Sequence, residues 1–263
     1  MFTHEDKILP GVIGSGLTTV AFGRQIAYFP CTDSTNHQAR LLAEKGAPEG
    51  TLVITEEQTA GRGRLGRRWL SPPGVSLLFS LIFRPNLEPA RVQGLTIVCG
   101  LAVRAAIRDL TNLPVQLKWP NDIVLHDRKL GGILTEFASI GSQVDYVVVG
   151  IGLNVNMGPA GLPPKVSSTS LSIELGHSVP RAALLQRILE AVEVRHAVLC
   201  AGYWPVQEWS EALDTLGRHI TLSTDEGLIE GIAEAVDDRG GLLVRLPSGT
   251  TVVVLVGDII PHP

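Results

Sequence analysis

The segment Gly61-Arg62-Gly63-Arg64-Leu65-Gly66-Arg67, followed by Arg68, alternates the smallest residue with the most persistent cation. Glycine lets backbone N–H groups come close to an anion, and guanidinium groups neutralise it from several sides. Fixed positive charge of this kind can hold mutually repelling anions within reacting distance. The competing description is a solvated, mobile arginine loop. The same residues match GxGxxG formally, but a dinucleotide site needs a helix directly after the glycines. Here they lead into Trp69-Leu70-Ser71-Pro72-Pro73-Gly74, which cannot be that helix.

Three further clusters have the right chemistry and are weak individually. Lys118-Trp119-Pro120-Asn121-Asp122 places a lysine, a side-chain amide and a carboxylate around a proline turn, a set that could bind nucleotide, metal or an incoming amine. Lys129-Leu130-Gly131-Gly132-Ile133-Leu134 has a lysine after a turn and two glycines that permit close backbone approach. Gly150-Ile151-Gly152-Leu153-Asn154 puts small residues at a strand end, where a flat ligand could lie against backbone.

The elements that must position these clusters follow from pattern. Residues 24–30 and Thr51–Thr55 read as strands, and Asp33 and Ser34 are N-caps for a helix over Thr35–Lys45. Val75–Phe83 is a strand, Pro89–Leu110 a core helix stopped by Asn112-Leu113-Pro114, and Val115–Trp119 a strand. Ile123–Leu125 and Lys129–Phe137 form a hairpin around His126–Arg128, and Asp145–Asn156 is an apolar strand. Thr169–Leu175 and Arg181–Cys200 are helical. From His219 to Ile260 only short β-rich runs remain, separated by Gly- and Asp-rich turns, which predicts a small antiparallel barrel. The boundary falls near Leu213, giving domains over 1–213 and 214–263.

The 263 residues are 44% apolar and 18% charged, enough for a packed core in one sizeable domain and a small one. A net charge of −4 argues against a protein held on nucleic acid by phosphate neutralisation. No apolar run is long enough for a membrane span, and Met1–Pro10, with Glu5 and Asp6, does not resemble a secretion signal. Cys31, Cys99 and Cys200 are odd in number and far apart, so neither a disulfide framework nor a protein-held metal is expected, and a cytoplasmic location is. Cys31 and Cys99 read as packing residues.

Taken in order, Ser34-Thr35-Asn36, Gln58, the arginine–glycine segment with Trp69, Lys118–Asp122, Lys129–Leu134 and Gly150–Asn154 resemble the biotin–protein ligase family. The resemblance runs from about Arg24 to the C-terminus. It implies an α+β fold, a mixed sheet with helices packed on one side in the class II aminoacyl-tRNA-synthetase-like manner, followed by a small C-terminal antiparallel β-barrel. It implies activation of biotin with ATP and transfer to a lysine of a biotin carboxyl carrier protein, with magnesium accompanying ATP.

Carried over residue by residue, the resemblance implies that Ser34, Thr35, Asn36 and Gln58 hold biotin, with Gly132, Gly150 and Gly152 against it. Arg62, Gly63 and Arg64 would surround its carboxylate and the α-phosphate, and Lys129 would approach the reacting oxygens. ATP would be held by Gly61, Arg62, Arg64, Arg67, Trp69, Asn121, Lys129 and Asn154, Trp69 packing on adenine. Arg64, Lys129 and Asp122 form the catalytic set, Asp122 orienting or deprotonating the acceptor lysine. Residues 60–68 are expected to be mobile without ligand. Homodimers are common in the family. Some members carry an N-terminal winged-helix domain, and the roughly thirty residues before Ser34 are too few for one. The alternatives are a lipoate–protein ligase, a DNA-binding regulator and a binding module built on the barrel.

Overall fold

The computed structural model describes residues 7–164 and 166–260; Glu5 and Asp6 lie outside them. Seven strands build the main sheet: β1 (Ile26–Phe29), β2 (Leu52–Thr55), β3 (Ser76–Phe83), β4 (Gln116–Lys118), β5 (Asp122–Leu125), β6 (Arg128–Ile140) and β7 (Gln143–Asn154). Their order is β1-β2-β3-β7-β6-β5-β4, parallel only between β1 and β2. The helices are α1 (Pro10–Ser15), α2 (Thr35–Glu44), α3 (Gln93–Thr111), α4 (Leu171–Leu175), α5 (Arg181–Cys200) and α6 (Val206–Ala212).

Strand alternation divides the sheet into a packed face and a working face. On β3 and β7, Leu77, Phe79, Leu81 and Phe83 with Val147, Val149, Ile151 and Leu153 meet α3 and α5 in the main core. The intervening positions face α2, whose Ala39 and Ala43 pack with Val53, Ile82 and Val148 in a second, smaller core. The helical layer was expected on one side. The long helices α3 and α5 obey that, whereas α2 covers part of the opposite face because its alanines permit close approach. Past Val148 this face turns to glycine, at Gly150 and Gly152, and the site begins there.

Several boundaries have local causes. Pro89–Arg91 forms a short 3-10 turn, so the α-helix starts only at Gln93; Asn112 closes it in the left-handed region at φ 59°. His126 and Asp127 take φ of 50° and 58°, making the two-residue turn whose twist matches a β-hairpin. Pro89–Thr111 is long and apolar enough to cross a membrane, but most of its apolar stretch is buried within the fold, where it serves as the core helix.

The C-terminal strands β8 (His219–Thr224), β9 (Gly227–Val236), β10 (Leu242–Arg245), β11 (Thr251–Val254) and β12 (Asp258–Ile260) form an antiparallel sheet ordered β11-β10-β9-β8-β12. Laid flat, its edges would stand ~19 Å apart at ~4.8 Å per strand. Only Leu255–Gly257 connect them, and four Cα steps reach at most ~15 Å. The sheet therefore curls. Trp119 ties it to the main domain: its backbone N–H donates to Thr215 Oγ1 at 3.0 Å and its indole N–H to the Gly240 carbonyl at 3.1 Å.

Candidate active site

A cavity of about 750 Å³ opens on the working face and is walled by both sheets. Of the residues singled out from the sequence as site residues, only Gly61 is absent from its wall. Gly61 is buried behind the loop, where a Cβ would lie 2.7 Å from the Trp69 carbonyl oxygen, so it shapes the loop and does not touch the cavity.

One end is polar and uncharged. Ser34 occupies the N-cap position of α2, yet its hydroxyl makes no cap bond. The helix start is satisfied differently, by Gln58 Oε1, which accepts from Thr35 N at 2.8 Å and Thr35 Oγ1 at 3.1 Å. That substitution leaves the Ser34 hydroxyl and the Gln58 amide nitrogen without partners among the described residues, at the cavity wall. Asn36 lies flat across three strands. Its Nδ2 donates to the Leu134 carbonyl at 3.2 Å and to Glu136 at 2.7 Å, and its Oδ1 accepts from Ser80 at 2.7 Å. Gly150, paired with both Ser80 and Leu134, makes the room: a Cβ there would stand 2.8 Å from Asn36 Cγ.

One row along, Gly152 pairs with Gly132, and Trp69 lies on this bare patch. A Cβ on Gly152 would fall 2.5 Å from Trp69 Cε2. The indole N–H of Trp69 is buried without a hydrogen-bond partner among the described residues. Asn154, at the end of the same strand, donates to the Thr169 carbonyl at 3.0 Å.

The arginine–glycine segment is a small closed hairpin. Arg62 bridges to Arg68, Gly63 N donates to the Arg67 carbonyl at 2.7 Å, and Trp69 N to the Gly61 carbonyl at 3.0 Å. Leu65 and Gly66 turn it with φ of 53° and 70°. Arg62, Arg67 and Arg68 are exposed, while Arg64 is half-buried and points inward. Its guanidinium lies 3.5 Å from Asn121 Oδ1, 3.2 Å from the Gly257 carbonyl and 3.7 Å from Asp258. Burial lowers its pKa against the opposing pull of Asp258 and Asp122. Arg67 reaches the same Asp258 at 2.6 Å.

Lys129 donates from Nζ to Asp122 Oδ1 at 2.6 Å and stands 6.0 Å over the Trp69 ring. Asp122, expected to meet the acceptor amine, thus first orients Lys129. Asn121 Nδ2 donates to the Ile133 carbonyl at 2.6 Å, fixing the turn after Pro120.

Asp258, Asp214 and Ser80 were not foreseen. Ser80 had a visible signal, a lone hydroxyl inside the run Leu77-Leu78-Phe79-Ser80-Leu81-Ile82. The two aspartates lie in segments without a motif and reach the cavity only through tertiary packing. Cys31, read as a packing residue, is exposed; Cys99 is fully buried, which raises its thiol pKa strongly.

Residues 28–154 match the biotin/lipoate A/B protein ligase family, and residues 215–260 match the biotin protein ligase C-terminal domain. The biotin–[acetyl-CoA-carboxylase] ligase of Mycobacterium tuberculosis is 33% identical over 276 residues, covering 98% of each chain. The chain belongs to the biotin protein ligase family. The bifunctional ligase/repressor BirA of Bacillus subtilis is 36% identical over 247 residues, 92% of this chain and 76% of the relative. Biotin protein ligase from Aquifex aeolicus in complex with biotin and ATP superposes with a TM-score of 0.77 at 29% identity, covering 90% and 98% of the two chains. The match to a biotin-ligase C-terminal domain sets the lipoate alternative aside, and this ligase uses that domain to complete its cavity wall.

Proposed function

We propose that this ligase activates biotin with Mg-ATP to biotinoyl-AMP and transfers biotin to a lysine of a carboxyl carrier protein, in the cytoplasm. One observation carries the reading: a single cavity joins an uncharged amide-and-hydroxyl end to a wall of arginines and a lysine. The ureido ring, with donors and acceptors but no charge, suits the first; the carboxylate and phosphates suit the second.

Ser34 and Gln58 hydrogen-bond the ureido ring, while Thr35 and Asn36, already held by Ser80 and Gln58, position them. The valeryl chain runs past the Asn36 and Trp69 side chains that cover Gly150 and Gly152. Arg62, Gly63, Arg64 and Lys129 hold the carboxylate beside the α-phosphate, and adenine stacks on Trp69. A carboxylate oxygen attacks the α-phosphorus and pyrophosphate leaves. The neutral amine of the carrier lysine then attacks the carboxyl carbon, a C–N bond forms, the bond from that carbon to the oxygen it shares with phosphorus breaks, AMP departs with that oxygen, and the amine loses a proton. Asp122, fixed by Lys129, orients or deprotonates that amine. Magnesium enters with the nucleotide; among the described residues no group of three or more His, Cys, Asp or Glu could hold a metal. Asn121 and Asn154 lie near the phosphates that would carry it.

The test is ATP–pyrophosphate exchange. Exchange that requires biotin, and that lipoate does not support, is the expected result; exchange with neither acid from folded protein would overturn the reading.

A further inference from the structure

The part of the cavity bounded by Lys118, Pro120, Asp127, Asp214 and Ile259 has no role in the scheme above. Asp214 is held there by backbone as well as side chain. Its N–H donates to the Leu117 carbonyl at 2.8 Å, extending the edge of β4, beside Lys118. Arg218 binds Asp214 Oδ1 and also Asp127 on the β5–β6 turn, at 2.7 Å, clamping the two carboxylates across the junction with the C-terminal sheet. The second oxygen of Asp214 has no partner among the described residues, and Lys118 faces the same space without an ion pair to it. Burial raises the Asp214 pKa, with Arg218 opposing.

Arg218 offsets one of the two carboxylates and Lys118 faces the other, so what this patch offers is the free oxygen of Asp214, an acceptor that disfavours phosphate and carboxylate and suits a cation. The one reactant bearing positive charge is the ammonium of the acceptor lysine. Pro120 and Ile259 supply apolar sides for its methylene stem, a long chain with a charged head needing such a channel. We propose that Asp214 binds the ammonium of the incoming lysine at this mouth, delivering it to Asp122 and the adenylate, with Lys118 opposing it. Asp214 is a positioning residue; the bond-making atoms meet further in. This rests on the ligase reading.

The experiment uses the full chain loaded with biotinoyl-AMP, and measures single-turnover transfer to the carrier protein and, separately, to hydroxylamine, which is largely uncharged at neutral pH. The informative quantity is the ratio of the two rate constants, from which damage to folding or to adenylate retention cancels. In Asp214→Asn the ratio falls about tenfold, and in Lys118→Met it rises about threefold, as expected for removing one charge at close range in a partly solvated site. Asp214→Glu restores most of the ratio. A ratio unchanged in both variants, or shifted the same way by both, overturns the proposal. The Lys118 variant decides the matter alone if the Asp214 variant does not fold. Failure of the ligase reading itself would show separately, as absence of biotin-dependent exchange in the unmodified protein.

Discussion

Replacing Gly150 by alanine is the sharpest test of how the polar end is built. Backbone strain is not at issue, because Gly150 is ordinary strand backbone paired with Ser80 and Leu134. The added carbon would sit 2.8 Å from Asn36 Cγ, and nearer to its Oδ1, whereas carbon atoms rest at about 3.5–4.0 Å. Asn36 cannot swing aside freely, since Ser80, Leu134 and Glu136 hold it. Moving it breaks the two inner bonds, at about 1 kcal/mol each, in addition to overpacking of about 1–2 kcal/mol. Chemical denaturation should therefore show Gly150→Ala destabilised by about 3–4 kcal/mol. Calorimetric titration should show biotin affinity reduced at least about tenfold, as Ser80 and Thr35 shift with the asparagine. The decisive measurement is the double-mutant cycle. In an Asn36→Ala background the same glycine change should cost under about 1 kcal/mol. Equal cost in both backgrounds would refute the claim that Gly150 exists to make room for Asn36.

Two other outcomes follow from the structure. Arg62, Arg67 and Arg68 are exposed on a hairpin turned by Leu65 and Gly66, so trypsin should cut there readily, and biotin with Mg-ATP should slow cutting at least about tenfold by ordering residues 60–68; equal rates would count against closure. Glu193 accepts backbone N–H bonds from Val20, Ala21 and Phe22 at 2.7–3.0 Å. Burial alone would raise its pKa, but these bonds and Arg24 bring it below the ordinary 4.5. Its contribution is thus present above pH 4.5 and lost as pH falls through the lowered value. Glu193→Gln should cost about 1–2 kcal/mol at pH 7 and progressively less below pH 4.5 in acid-unfolding curves; a pH-independent difference would contradict this.

The sequence was most legible where period and punctuation agree. The hairpin at His126–Asp127, the apolar run of β7 and the helix over Arg181–Cys200 lie where pattern places them, since local conformation and burial favour the same structure there. The clusters with chemistry were weak singly and became legible through their order along the chain, from Ser34-Thr35-Asn36 to Gly150–Asn154. What stayed hidden depends on partners distant in sequence. Nothing local shows that Gln58, twenty-three positions away, completes the start of α2 and so frees the hydroxyl of Ser34. Nor does the isolated acid of Val256-Gly257-Asp258-Ile259-Ile260 announce that it meets two arginines from the opposite end of the chain. Long-range electrostatics of this kind leaves no periodicity.

The glycine rows and the aspartates solve complementary halves of one problem. A sheet that must pack on one face and bind on the other cannot thin its core, so β7 keeps Val149, Ile151 and Leu153 toward α3 and α5 while Gly150 and Gly152 vacate the opposite side. Asn36 and Trp69 fill part of that space and turn bare backbone into shaped walls. The arginines needed beside carboxylate and phosphate would repel one another unless countered, and Asp258 of the C-terminal sheet supplies the counter-charge at 2.6 Å and 3.7 Å. The second sheet is therefore part of the cavity wall: Asp258 offsets the charge of the loop, and the chain leading into the sheet places Asp214 at the edge of the cavity. Each cation at the cavity wall is thus met by a carboxylate from another element, Arg64 and Arg67 by Asp258 and Arg218 by Asp214 and Asp127, so the wall carries charge without self-repulsion.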